Sequence, residues 1–293
     1  MSEKKLSPEE KEQKFLANLV AEYLKYGSVD EVYRIHKYDL PISYPGFQRV
    51  LDKWGIVKAA GPNSKLSEAL SFFVHLAEEQ IPLETLYKRM PPSFQTSMGT
   101  LHRILSYIKE GVTRRAGTAL VITPHGKSDY VLVGNDVSTP RVELGKPFGS
   151  VSLPMGFSRK RDTKQKAILR VLQQEVFAKQ AIEQNMPMEV ITENIDPFMY
   201  LDIADVRVSV YQLSLPKELS SSKNFSSFKL ENHRFLSVGE IVNGDSGHFR
   251  VGLIETILGY QRRLEMIDKN VIANPIFEIS SLNHELAALA YEY

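Results

Sequence analysis

The stretch Leu153-Pro-Met-Gly156-Phe-Ser-Arg-Lys-Arg-Asp162, followed after seven residues by Arg170-Val-Leu-Gln-Gln-Glu175, sets the frame for the whole chain. An apolar segment meets a proline and then Gly156, the pattern of a strand entering a tight turn that needs a residue without a Cβ. The basic run Arg159-Lys-Arg161 then ends on a single acid, Asp162. Beyond it the apolar spacing predicts a helix from about Thr163 to Gln184. Phe177 is no helix breaker, so this helix is expected to run past Glu175.

The flanks on both sides are β-rich. Ala119-Leu-Val-Ile-Thr123 and Tyr130-Val-Leu-Val133 read as strands separated by the turn His125-Gly-Lys-Ser128. Met199-Tyr-Leu-Asp-Ile203 and Val206–Leu213 are strand candidates downstream. The latter alternates apolar and polar residues, which predicts one solvated face. Ser220–Ser227 reads as a surface loop, His233–Glu240 as a strand turning into a helix start, and Val251–Asp268 as a closing helix. Such a mixture belongs to an α+β or α/β domain.

Residues 1–112 have a different texture, with apolar positions three and four apart. Ser7-Pro-Glu-Glu10 combines a capping residue, proline at the first helical position and first-turn acids, and Gly27 stops the helix. Ser28 opens a short second helix, and Ser43 opens a third that runs to Trp54. The pattern returns at an offset of 54 residues: Val29–Arg34 lies over Leu83–Lys88, Ser43 over Ser97, Arg49 over Arg103 and Trp54 over Ile108. This is a tandem duplication of one three-helix unit.

Each unit ends in two short helices joined by a turn, as in helix-turn-helix folds, whose second helix enters the DNA major groove. In the first unit the groove-facing positions are Ser43, Gln48, Arg49 and Lys53, and in the second Ser97, Thr100, His102 and Arg103. Hydroxyls bind phosphates, Gln pairs with adenine and Arg with guanine. Arg114 and Arg115 follow where a wing could touch phosphates. The plainer reading is a pair of helical hairpins that only packs or dimerises, with Trp54 as a core residue.

Bulk properties exclude several classes. The 293 residues are 43% hydrophobic and 24% charged, an ordinary globular balance with room for two domains. Zero cysteines rule out disulfides, thiol nucleophiles and cysteine-ligated metals. No long apolar run spans a membrane and the charged start is no signal core, so a cytoplasmic setting without membrane partners is expected. Net charge is +1, with 17 Lys and Arg against 14 acids in residues 1–115, an asymmetry too weak to identify a partner. The histidines show no metal spacing, and no glycine-rich phosphate loop or nucleophile elbow occurs.

Residues 117–268 resemble a Nudix domain, whose box reads Gly-x5-Glu-x7-Arg-Glu-U-x-Glu-Glu-x-Gly-U, with U a bulky aliphatic residue. Gly156, Asp162, Arg170, Leu172 and Glu175 fall in register, and the flanking strands and closing helix follow the family's order. The resemblance implies an α/β/α sandwich in which the box glutamates hold Mg²⁺ or Mn²⁺ against a diphosphate. Here those three positions carry Val171, Gln174 and Glu175, so one carboxylate remains. Asp162 replaces a glutamate and Phe177 a glycine. Glu193, Asp202, Asp205 and Glu240 lie in flanking segments and could substitute.

The expectation is an α+β protein with an N-terminal all-α tandem helix-turn-helix region, 1–115, and a Nudix-like α/β/α sandwich domain, 116–293. Its favoured function is a regulator that binds double-stranded DNA and senses a nucleotide-like or phosphorylated metabolite, since some Nudix relatives serve in that way. The ligand would sit on Gly156, Arg159, Arg170 and Glu175, although a charge run such as 159–161 is commonly a solvated loop. Half-site reading makes a homodimer a prior. The rival is a Mg²⁺- or Mn²⁺-dependent hydrolase of nucleoside diphosphate-linked compounds, with Glu175 as metal ligand and Glu175, Arg170 and Asp162 as catalytic residues. A non-enzymatic scaffold is the third reading.

Overall fold

The computed structural model describes residues 7–59, 106, 110–113, 115–140, 145–244, 248–269 and 274–288. The second copy of the helical repeat falls almost wholly outside these residues.

Helix α1 (Pro8–Tyr26) starts and stops where the sequence predicts. Ser7 Oγ accepts from Glu10 N at 3.2 Å, while Glu10 Oε2 accepts from Ser7 N at 2.7 Å. Gly27 ends it in the left-handed region, at φ 73°. Helices α2 (Val29–Ile35) and α3 (Tyr44–Lys53) are capped by Ser28 and Ser43. Leu24, Val32, Phe47 and Leu51 are fully buried between the three helices, and Trp54 joins this core as expected. The eight residues from His36 to Ser43 exceed the turn of three or four expected between helix-turn-helix elements. Lys37 and Tyr38 both take positive φ, and Tyr33 Oη donates to the Ile42 carbonyl across the loop.

The rest is a two-sheet domain. Strands β1 (Arg115–Thr123), β4 (Met155–Ser158), β5 (Met199–Ile203), β6 (Val206–Ser214) and β8 (Ile276–Ile279) form a mixed sheet in the order β4-β1-β6-β5-β8. Strands β2 (Tyr130–Asp136), β3 (Val151–Ser152) and β7 (Leu230–Ser237) form an antiparallel sheet, β3-β2-β7. β1 is buried on both faces, with Ala119 and Val121 in one core and Leu120 and Ile122 in the other. Helix α4 (Lys164–Glu175) covers one side through Ile168 and Leu172. Helices α6 (Val238–Val242) and α7 (Leu253–Asp268) cover the other through Ile241 and Ile257. The architecture is therefore an α/β/α sandwich preceded by helices. No helix among the described residues is long and apolar enough to cross a membrane.

Three local expectations fail. The helix from Thr163 does not continue to Gln184, because α4 stops at Glu175 and Val176 leaves helical geometry at φ −131°. Ser226 pairs with the bend through Ser226 N to Val176 O at 2.8 Å and Ala178 N to Ser226 O at 2.9 Å. Phe177 is thereby turned into the core against Phe225, and α5 (Ala178–Ile182) sets off in a new direction. β6 is not solvated along one whole face: Arg207 and Ser209 are half-exposed, but Tyr211 and Leu213 are buried in the core that α4 covers. Gly156 does not form a turn. It lies within β4, paired with Thr118 of β1.

α5 joins the two parts of the protein. Its Ala178 and Ala181 are buried in the core of the helical unit, where small side chains let α1 approach closely.

Candidate functional site

The loop before α4 is fixed by one buried ion pair. Arg170 Nη2 lies 2.7 Å from Asp162 Oδ2, with both side chains at most 4% exposed. The contact is close but lacks hydrogen-bond alignment. Asp162 Oδ2 also accepts from Arg159 N at 2.7 Å, closing the loop on itself.

Arg170 has a second partner that the sequence did not announce. Its Nε donates to the Lys58 carbonyl at 2.8 Å. Next to it, Gln173 Nε2 donates to Gly55 O at 2.8 Å and Gln173 Oε1 accepts from Val57 N at 2.9 Å. Arg159 Nη2 donates to Ala59 O at 3.2 Å, and Ala59 N donates to the Tyr23 hydroxyl at 2.6 Å. Burial raises the Tyr23 hydroxyl above its ordinary value, so this phenol is neutral at physiological pH. The segment leaving α3 is thus tied directly to the box helix.

Between box and helical unit lies a cavity of about 550 Å³, within the size range of small-molecule sites. Gly117 and Thr118 of β1, Gly156 and Phe157 of β4, and Val206 and Val208 of β6 form one wall. A Cβ on Gly156 would meet nothing closer than Val171 Cγ2 at 3.8 Å, so hydrogen at that position keeps the cavity open rather than relieving a clash. Tyr26, Gly27 and Ser28, at the α1–α2 junction, line the opposite side.

The cavity's charged end holds Asp136, Lys146, Arg170, Gln174, Glu175, Lys229 and Arg250. Asp136 Oδ2 lies 3.3 Å from both Lys146 Nζ and Arg250 Nη1, while Asp136 Oδ1 accepts from Ser138 Oγ at 2.6 Å. Burial, and then the Arg250 charge, depress the Lys146 ammonium. Lys229 Nζ donates to Gln174 Oε1 and lies 3.9 Å from Glu175 Oε1. Burial nevertheless outweighs the Lys229 charge and pushes Glu175 from its ordinary 4.5 up to about 7. His233 Nε2 donates to the Glu175 carbonyl at 2.8 Å, and burial holds this imidazole below its usual range. Two buried donors lining the cavity, Arg170 Nη1 and Gln174 Nε2, have no hydrogen-bond partner among the described residues. Unpaired buried donors are costly, and both atoms are closed off from solvent as their side chains stand.

The residues present do not fit a divalent cation. Val171 is buried against the core and offers no oxygen from its side chain, Gln174 Oε1 is taken by Lys229, and Glu175 faces an ammonium. Mg²⁺ and Mn²⁺ need several oxygen ligands, preferably anionic. The flanking acids do not replace them: Asp202 pairs with Arg207, Asp205 with Arg115, and Glu240 caps α6. None of these, nor Glu193, lines the cavity. No cluster of three His, Asp or Glu suited to a metal occurs among the described residues.

The other sequence candidates divide. Arg170, Glu175 and Gly156 come together in the cavity, while Arg159 turns to the Ala59 carbonyl and does not line it. Asp162 does not line it either and pairs with Arg170. On α3, Arg49 and Lys53 are exposed and Gln48 is half-buried, whereas the Ser43 hydroxyl is engaged in capping Gly46 N at 3.2 Å. Arg115 begins β1, and its guanidinium pairs with the buried Asp205. Ser97, Thr100, His102, Arg103 and Arg114 lie outside the described residues. The sequence reading missed Asp136, Lys146, Lys229 and Arg250, which come from four separated segments with no common spacing.

No protein-family model and no curated protein matches the chain. Among solved structures, it is similar to a Nudix hydrolase from Nitrosomonas europaea at 15% identity and a TM-score of 0.37, covering 57% of this chain and 79% of that one. It is also similar to a MutT protein from Methanosarcina mazei Go1 at 11% identity and a TM-score of 0.36, covering 53% and 97%. A third likeness is to NrtR from Shewanella oneidensis at 13% identity and a TM-score of 0.35, covering 52% and 64%.

Proposed function

We propose that the chain is a DNA-binding transcriptional regulator whose residues 116–293 sense a nucleotide-like or other phosphorylated metabolite without cleaving it. Residues 1–115 are the DNA-reading part of this proposal, in a cytoplasmic protein that pairs to read two half-sites. The observation that carries the sensing half is the occupation of Gln174 Oε1 by the Lys229 ammonium. A cleaving site needs an exposed set of anionic oxygens at that place, and here an internal cation takes it. The exposed Arg49 and Lys53 on α3 support the DNA-reading half.

Regulation requires a ligand that favours one arrangement of the reading helices over another. The cavity suits this, because a ligand filling it touches Arg170 and the α1–α2 junction together. Arg170 and Gln173 in turn grip the segment leaving α3. A mobility shift with genomic DNA fragments, repeated with the ligand candidates and with the double variant Arg49→Ala, Arg103→Ala, tests the reading. Unchanged binding in the double variant removes the groove assignment.

One observation favours the hydrolase alternative. Glu175 at about 7 has the proton affinity of a general base working at neutral pH. Mg²⁺- or Mn²⁺-dependent phosphate release from a nucleoside diphosphate-linked compound, abolished in Glu175→Gln, would establish that alternative.

A further inference from the structure

The box positions that the resemblance assigns to metal-holding glutamates embrace a cation that is part of the chain. Lys229 Nζ bonds Gln174 Oε1 and sits 3.9 Å from Glu175 Oε1, so both surviving oxygen-bearing box side chains face one ammonium. A divalent ion there would meet one carboxylate, one neutral amide oxygen and a like charge at contact distance. Around Lys229 stand Lys146, Arg170 and Arg250, whose side chains are 11%, 3% and 14% exposed. Even with Asp136, Asp162 and Glu175 all ionised, these four cations leave a net positive charge at this end of the cavity among the described residues.

We propose that Lys229 replaces the divalent cation, so that the cavity takes the diphosphate end of its ligand directly on Lys146, Arg170, Lys229 and Arg250, without Mg²⁺ or Mn²⁺. This rests on the ligand-sensing reading above and names the chemistry of that same site. Lys146 is pre-oriented for the task, since it is held by Ser138 Oγ, Asp136 and the Thr139 carbonyl at 3.3 Å. Arg170 Nη1 and Gln174 Nε2 supply two planar N–H donors that lack acceptors among the described residues. A diphosphate provides enough oxygens for the ammonium groups, and it reaches these two donors once their side chains turn toward the cavity. The apolar wall of Met155, Phe157, Ile203 and Val208 leaves room for the organic body attached to it.

The test is titration calorimetry of the full chain with inorganic pyrophosphate, in excess EDTA and then with Mn²⁺, alongside Mn²⁺ alone. The proposal expects pyrophosphate to bind in EDTA and Mn²⁺ alone not to bind. Lys229→Met should weaken pyrophosphate by about ten- to a hundredfold, the weight of a charge-assisted contact, while Lys229→Arg stays within a few-fold of the original. Should Lys229→Met fail to fold, Lys146→Met carries the same expectation. Pyrophosphate binding that requires Mn²⁺, or no pyrophosphate binding at all, overturns the proposal. Mn²⁺ binding that tightens in Lys229→Met overturns it as well. Binding in EDTA with no effect on DNA affinity supports the metal-free site and sinks the regulator reading instead.

Discussion

Replacing Glu175 with glutamine isolates the cost of keeping a carboxyl group at the cavity's charged end. The carboxyl is buried and titrates at about 7 instead of 4.5. That gap corresponds to roughly 3 kcal/mol between the protonated and ionised forms. Because the folded protein binds this proton more tightly than the unfolded chain, the contribution is fully present below pH about 4.5 and is lost as pH rises through about 7. The amide side chain introduced by Glu175→Gln is nearly the same size and carries no charge at any pH. Wild type should therefore lose up to about 3 kcal/mol relative to the variant between pH about 4 and about 8, most of it before pH 7. The Lys229 charge favours only the ionised carboxyl and is already contained in the value of about 7, so it adds no separate pH-independent offset. Urea denaturation of both proteins across that range reads the difference directly. A difference that stays flat with pH, or grows in the opposite sense, refutes the reasoning.

Other perturbations address the helical unit and its attachment. Phe47→Ala removes a fully buried ring from the three-helix core and should cost about 3–5 kcal/mol in urea denaturation; a loss under about 1 kcal/mol would mean that this core collapses around the gap. Arg170→Met leaves Asp162 buried without its cation and should cost about 3–5 kcal/mol, with faster proteolysis near Ala59 as a second readout. Retained stability and unchanged proteolysis would show that Asp162 is solvated. If α3 meets phosphates, Arg49→Ala and Lys53→Ala should each reduce the slope of log affinity against log salt by about one; an unaltered slope places both side chains away from DNA.

The parts of the fold that were legible in the sequence are those set by local rules. Ser7, Glu10 and Gly27 mark the ends of α1 because capping and left-handed geometry are properties of the residues themselves. The boundary between β7 and α6 was equally plain, since Ser237 and Glu240 form a capping box. Strand β8 and the helix at Ser281–Ala288 were not foreseen, because β8 is four residues long and owes its existence to pairing with β5. The break after Glu175 was invisible for a related reason. Nothing in Val176 or Phe177 forbids a helix, and the bend depends on Ser226, far along the chain. In the candidate site, the register of the box groups Arg170, Gln174 and Glu175, and all three line the one cavity. The cations opposite them are joined only by tertiary structure, and lysines and arginines on loops carry no pattern that separates cavity from solvent.

The strap that follows α3 buries Ile56 and Val57, and it meets the second domain's polar side chains through its main chain: Gly55 O, Val57 N, Lys58 O and Ala59 O each meet one of them. Main-chain grips are indifferent to what the strap's own side chains are. Lys58 and Ala59 can therefore drift during evolution at little cost, whereas proline at position 57 would delete the one amide that Gln173 accepts from. Selection on the joint is expected to concentrate at Arg170 and Gln173, on the box side, and a change there loosens the joint before it alters either half alone.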